Sequence, residues 1–143
     1  MAQINTNGLY RTFMFAPGNH ARKVEKVFDV GADAVILDLE DAVATNEKIA
    51  TRDFVAAALK APRGPLGYVR VNAYDTEFCY GDAVAIVGPW LDGVILPMVE
   101  SADQLRSFDW LLRNLERERE LPEGGIDLIP IIETGKGVAA LPE

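Results

Sequence analysis

The chain has 143 residues, 49% of them hydrophobic, which is enough for one domain with a sizeable core. Its formal net charge of −8 argues against nucleic acid and anionic membrane surfaces as partners, and no stretch approaches a spanning helix or an apolar signal core. Cys79 and His20 are each the sole residue of their kind, so an internal disulfide is excluded, a Ser-His-Asp triad has little to build on, and a reducing cytoplasm is the expected compartment.

Residues 1–10 read as a polar lead-in and 11–143 as one domain. Arg11 to Ala16 is the first predicted strand, closed by Pro17-Gly18. Asn19 stands in the N-cap position of a helix that carries Val24, Val27 and Phe28 on one face and stops at Gly31. Ala34-Val-Ile-Leu-Asp-Leu-Glu-Asp-Ala-Val43 then sets a short apolar run against Asp38, Glu40 and Asp41. An apolar run of that length before a turn reads as a strand buried on both faces. Three acids at its end repel one another unless a cation, a donor network or a basic partner offsets them. The plainer alternative is that Asp41 caps the next helix and the other two are solvated.

Thr45 is the expected cap of the second helix, whose core face is Phe54, Val55, Ala58 and Leu59, and Pro62 and Gly64 end it. Leu66 to Asn72 is the third strand, a less regular helix covers Thr76 to Val87, and Leu91 to Pro97 is the fourth strand. Ser101 with Gln104 makes a capping box ahead of the stripe Leu105, Phe108, Leu112 and Leu115. Glu116-Arg-Glu-Arg-Glu120 reads as a solvated helix end with paired charges. After the turn Pro122 to Gly125, Ile126 to Glu133 is the fifth strand and Gly135 to Ala140 begins another helix.

Strands alternating with helices imply a parallel sheet with right-handed crossovers. A five-stranded doubly wound sheet would be complete at this length, whereas a (β/α)8 barrel needs about 250 residues. In either fold the carboxyl ends of the strands face the ligand. Arg70 and Asn72 fall two residues apart on one face of the third strand. An arginine there suits a carboxylate gripped in a two-donor fork, the alternative being a structural ion pair to Asp38 or Glu40. Glu133, ending a buried strand, is a hard oxygen ligand suited to Mg2+.

Five motifs run from Arg11 nearly to the C-terminus: Arg11-Thr-Phe-Met-Phe-Ala-Pro-Gly18, the acidic stretch Ala34 to Val43, Val69-Arg-Val-Asn72, Val94-Ile-Leu-Pro97 with Val99-Glu100, and Ile131-Ile-Glu-Thr134. Together they resemble the citrate lyase β-subunit-like family, which includes malyl-CoA and citramalyl-CoA lyases within the HpcH/HpaI aldolase superfamily. The resemblance implies an α/β TIM barrel, (β/α)8, of which this chain holds about the first five βα units. It implies an enzyme that binds Mg2+ and cleaves a β-hydroxyacyl-CoA thioester into an acyl-CoA and a 2-oxo acid. Carried over by position, Glu133 is one of two metal carboxylates, and Arg70 binds the carboxylate or oxo end of the substrate. Asp38 and Glu40 line the site and orient the arginine and the metal's water. Arg22, Lys23 and Lys26 are candidate partners of the anionic CoA moiety, and a homo-oligomer is implied, trimeric or hexameric in relatives.

Thr12 stands where the family usually has serine, and Met98 where it often has lysine. The family's second metal carboxylate comes from a sixth strand, so the expectation is part of a longer lyase, inactive as 143 residues alone. Two rivals remain: a receiver-like doubly wound signalling module, and a non-catalytic half barrel that only binds CoA or a partner protein.

Overall fold

Short runs of aliphatic residues alternate with longer amphipathic stretches, and each run pairs with the one before it. In the computed structural model, which describes residues 10–142, the strands are β1 (Phe13–Pro17), β2 (Ala34–Asp38), β3 (Leu66–Arg70), β4 (Gly93–Leu96) and β5 (Asp127–Pro130). The helices are α1 (Ala21–Val27), α2 (Lys48–Lys60), α3 (Cys79–Ile86), α4 (Ala102–Glu118) and α5 (Gly135–Ala139). The expected lead-in lies outside the described residues, Tyr10 excepted.

All neighbouring strands are parallel and the sheet order is β1-β2-β3-β4-β5. That order has no reversal point, so the doubly wound arrangement of a receiver-like module is excluded. Successive side chains on a strand face opposite ways, and here the two faces have different neighbours. Val35, Leu37, Val69, Val94 and Leu96 join Val24, Val55, Leu59, Phe108 and Leu112 in one large buried cluster under the helices. Ala34, Ile36, Tyr68 and Ile95 form a smaller cluster on the other face, to which no helical residue belongs among the described residues. Helices therefore cover one face only. Each large aliphatic side chain removed from water contributes about 1.5–3 kcal/mol, so the doubly buried β2 anchors the sheet. On β1, Phe13, Met14 and Phe15 stay 36%, 46% and 45% exposed.

Several local expectations are corrected. Asn19 does not cap α1; His20 holds that position, and Asn19 Nδ2 instead donates to Glu47 Oε2 at 2.7 Å. Thr45 opens a single 3₁₀ turn, Thr45–Glu47, so α2 begins later than expected and its buried positions include Thr51, Val55 and Leu59, four apart. Phe54 lies off that face and is 39% exposed. Ser101 does cap α4, its Oγ accepting from Gln104 N at 3.3 Å, while Gln104 Oε1 accepts from Glu100 N at 2.8 Å. The acidic end of α4 is not simply solvated. The α4–β5 turn folds back over it, and buried Glu116 accepts from the backbone N–H groups of Gly124 at 2.6 Å and Ile126 at 2.8 Å. Arg119 donates to the carbonyls of Val84 and Val87.

The loop after β1 is tied to the end of β2, because Gly18 N donates to Asp38 O at 2.9 Å. A Cβ on Gly18 would sit 2.6 Å from Asp38 O and 2.7 Å from Val55 Cγ2. Gly18→Ala is therefore expected to destabilise the fold by about 1–3 kcal/mol, as overpacking against backbone does. Urea denaturation checks this, and unchanged stability would show that the loop has room to give.

Candidate active site

Adjacent strands β2 and β3 end in register, Asp38 beside Arg70. Alternation places Asp38 on the face of Ile36, and Arg70 on the face of Tyr68. The helix-free face thus ends in a buried acid and a base. Arg70 Nε donates to Asp38 Oδ1 at 2.7 Å and Nη2 to Oδ2 at 2.7 Å, a fork on a fork. Nη1 is left for the rim, 3.1 Å from Glu40 Oε2 and 3.8 Å from Asp41 Oδ2. From beneath, the guanidinium lies over the Phe15 ring at 5.1 Å. Asp41 is exposed and caps no helix; it faces Arg70.

The two acids flanking this arginine are tuned in opposite directions. Burial works to raise the Asp38 carboxyl, but the Arg70 fork and the N–H groups of Glu40 at 3.0 Å and Ala42 at 2.9 Å outweigh it. Asp38 is thereby held below the usual carboxylate range. Burial also raises Glu40; Arg70 opposes it, and the charges of Asp41, Asp38 and Glu133 add to it. The net direction for Glu40 is upward. Its Oε2 lies in ion-pair contact with Arg70 yet accepts no aligned hydrogen bond among the described residues.

Glu133 is exposed just beyond β5, and its Oε1 accepts from Met98 N at 3.0 Å. Met98 has φ of 54°, an uncommon left-handed conformation for a side chain of its kind, and contributes a backbone N–H to the rim. Glu133 is near enough for its charge to act on Glu40, while Asp38, Glu40 and Asp41 are the acids that surround Arg70. Arg22, Lys23 and Lys26 are exposed on α1, where their side chains make no hydrogen bond or ion pair with the described residues. They are not drawn into the cluster.

Asn72 does not share its face with Arg70. The strand ends at Arg70, and Asn72 is buried beneath the loop after β2, where its Nδ2 donates to Leu39 O at 3.0 Å and Asp82 Oδ2 at 2.7 Å. Lys48, also buried, donates to Asn72 Oδ1 at 2.6 Å, Glu40 O at 2.6 Å and Leu39 O at 3.1 Å. Asp82 is fully buried and takes Arg52 Nε at 2.8 Å. Sequence reasoning missed Lys48, Arg52 and Asp82. The available signal was two cations four apart on the inward face of a helix, Lys48 and Arg52.

Other reactive groups stand apart. Burial, then the charges of Asp82 and Asp75, push the Cys79 thiol up to about 12, which makes it a poor nucleophile at neutral pH. A groove lined by Tyr74, Tyr80, Arg106 and Trp110 runs between α3 and α4 and shares no residue with the acidic rim. Among the described residues no helix is long and apolar enough to cross a membrane.

No three His, Cys, Asp or Glu side chains form a metal cage among the described residues. Mg2+ needs no such cage, since it keeps several waters and takes one or two protein carboxylates. Burial first, and then the charges of Asp41, Asp38 and Glu133, raise Glu40 against the opposing Arg70, and exposed Glu133 has Oε2 to offer. The residues present fit one side of a Mg2+ site, in which Glu133 is the carboxylate that could hold the ion.

The family model for HpcH/HpaI aldolase/citrate lyase matches residues 11–143. The chain is 36% identical over 141 residues to the citrate lyase subunit beta of Leuconostoc mesenteroides, covering 94% of this chain and 45% of that one. It is 40% identical over 100 residues to a (3S)-malyl-CoA thioesterase of Cereibacter sphaeroides, covering 68% of this chain and 35% of that one. Among solved structures, the citrate lyase beta subunit of M. tuberculosis complexed with oxaloacetate and magnesium superposes with a TM-score of 0.70 at 29% identity, covering 95% of this chain and 53% of that one. The malate synthase of Haloferax volcanii superposes at 0.83 with 21% identity, covering 92% and 43%, which speaks to fold alone. The chain spans less than half the length of these two curated relatives.

Glu40 yields a test of stability. A raised carboxyl pKa means that the folded chain holds the proton more tightly than the unfolded chain does. Folding is then favoured where Glu40 is protonated, and that preference is lost as pH rises above the ordinary glutamate value of about 4.3. At pH 7 the ionised carboxylate works against the fold. Glu40→Gln should raise Tm at pH 7 and lose that advantage below about pH 4. A lower Tm for the variant at pH 7 would show that the Arg70 contact outweighs desolvation.

Proposed function

Because the chain belongs to the HpcH/HpaI aldolase/citrate lyase family, we propose that it is the N-terminal part of a Mg2+-dependent lyase acting on β-hydroxyacyl-CoA thioesters. The sequential parallel sheet, with helices on one face, represents the first five βα units of a (β/α)8 barrel, and the helix-free face is the barrel interior. The reaction breaks the bond between the carbon next to the thioester and the hydroxyl-bearing carbon. The hydroxyl loses its proton and becomes the oxo group, the electron pair passes to the thioester enolate, and protonation at carbon gives the acyl-CoA.

The observation that carries this reading is the division of labour on Arg70. Two of its nitrogens are locked on Asp38, while Nη1 remains at the rim. A guanidinium so fixed presents a preorganised positive group to the carboxylate of a 2-oxo acid. The solved relative bound to oxaloacetate and magnesium pairs that class of product with that ion. Mg2+ held by Glu133 would supply a second positive charge for the oxo oxygen. Asp38 orients Arg70, and Glu40 crowds Nη1 toward the rim. Arg22, Lys23 and Lys26 form the exposed basic row that meets the CoA phosphates. The working protein is a cytoplasmic homo-oligomer whose remaining strands supply the second metal carboxylate.

The test uses the full-length protein with malyl-, citramalyl- and citryl-CoA. Cleavage to an acyl-CoA and a 2-oxo acid, abolished by EDTA and restored by Mg2+, is expected. CoA binding without cleavage of any of the three would instead favour the non-catalytic half barrel. Within the active protein, Arg70→Lys should lower kcat/KM by about a hundredfold or more, because lysine cannot span Asp38 and still reach the rim. Kinetics near the parent value would reduce Arg70 to a structural ion-pair partner.

A further inference from the structure

Lys48 is a buried cation with no carboxylate in ion-pair contact among the described residues. Its three ammonium protons meet three oxygens: Leu39 O, Glu40 O and Asn72 Oδ1. A buried charge of this kind is costly, and an apolar side chain of similar length would fill the space with less desolvation. Stability therefore gives little reason for a lysine here. Position gives a better one. Two of the three acceptors are the carbonyls that immediately follow Asp38, in the loop from which the Glu40 side chain projects.

The anchor of this contact is itself held. Asn72 N and Nδ2 both donate to Asp82 Oδ2, at 2.9 Å and 2.7 Å, and Asp82 is gripped by Arg52 of α2. A chain of hydrogen bonds thus runs from α2 through α3 and Asn72, in the segment after β3, back to α2, and Lys48 is its outlet toward the loop. Above that outlet, the loop's own N–H groups at Glu40 and Ala42 hold the Asp38 carboxylate in the plane that receives Arg70.

We infer that Lys48 is a positioning residue for the proposed reaction: by fixing the Leu39 and Glu40 carbonyls it sets the placement of the Asp38–Arg70 fork and of Glu40 at the rim. The kinetic part of this inference rests on the lyase reading. The structural part does not.

The experiment compares full-length parent, Lys48→Arg and Lys48→Met by kinetics and by hydrogen exchange of backbone amides, at a temperature where each is folded. Arginine keeps the charge but cannot converge three donors on three oxygens, and methionine keeps only the length. Both kcat loss and exchange at the Glu40 and Ala42 amides should rise in the order parent, Lys48→Arg, Lys48→Met. For Lys48→Met, kcat should fall about tenfold to a hundredfold, as displacement of catalytic groups by about an ångström does. KM for the thioester should change little, because the CoA-binding surface is untouched. Exchange at those two amides should quicken at least about tenfold while Leu112 and Leu115 of α4 stay protected. Parent-like kcat and loop exchange in Lys48→Met would overturn the inference. So would equal loosening of the loop and α4, the mark of a merely structural residue. Should Lys48→Met not fold, parent-like loop exchange in Lys48→Arg would overturn it as well. An inactive parent protein would instead remove the lyase reading and leave the exchange result to decide the positioning.

Discussion

The interaction on which the rest depends is the fork between Arg70 and Asp38 across the ends of two neighbouring strands. It exists because β2 and β3 are parallel and in register, so that their last residues lie side by side on the same face. In a buried pair, attraction barely repays the desolvation of two ions, and removing one partner costs about 3–5 kcal/mol because the other is left uncompensated. Such a pair is a poor device for stability and a good one for geometry. With Nε and Nη2 committed to Asp38 and Phe15 beneath the plane, the guanidinium has little freedom to turn. What remains of Arg70 points to a place defined by the sheet, not by solvent.

The sheet can define that place because its layers are unequal. Helices press on one face and bury Val35, Leu37, Val69, Val94 and Leu96, which fixes the strands' separation and twist. The opposite face holds only a thin cluster around Ile36, Tyr68 and Ile95. Tyr68 lies over Gly93 of the next strand, where any side chain would collide with the ring, and its hydroxyl donates to Asp127 Oδ2 at 3.0 Å. Below Arg70 this floor is made of aromatic and aliphatic side chains, and the acids that answer the guanidinium gather at its upper edge.

Much of this was legible in the sequence, and the reasons differ by residue. The five strands and their parallel sense follow from apolar runs separated by helix-length segments, and the sequential order agrees with the motif order at the strand ends. Asp38 and Arg70 stood out because each closes such a run. Asn72 was misread because alternation was carried two residues past the point where β3 actually ends. Glu116 looked solvated because its partners, the N–H groups of Gly124 and Ile126, belong to a turn whose path only the packed fold reveals. Lys48 and Arg52 were passed over for the same reason: their oxygens come from the segments after β2 and β3 and from α3, up to 30 residues away. Period and composition report on local conformation and burial. They do not report on which polar group from another element will arrive.

The charge arrangement of the rim completes the argument for function. A fold selected for stability alone would not set Asp38, Glu40 and Asp41 around one guanidinium, nor keep Glu40 Oε2 buried without an aligned donor among the described residues. Asp38 is fully compensated and held ionised, so it behaves as a fixed part of the scaffold. Glu40 is not, and its proton is held more tightly than usual by burial and by its acidic neighbours. Two carboxylates two residues apart are therefore pushed in opposite directions, a pattern that marks sites where charge is to be supplied or exchanged. The unmet demand at the rim is for positive charge and for donors. In the proposed function a hard divalent cation beside Glu133 would meet the first, and it would also offset the rim's acids where the carboxylate of a 2-oxo acid meets Nη1.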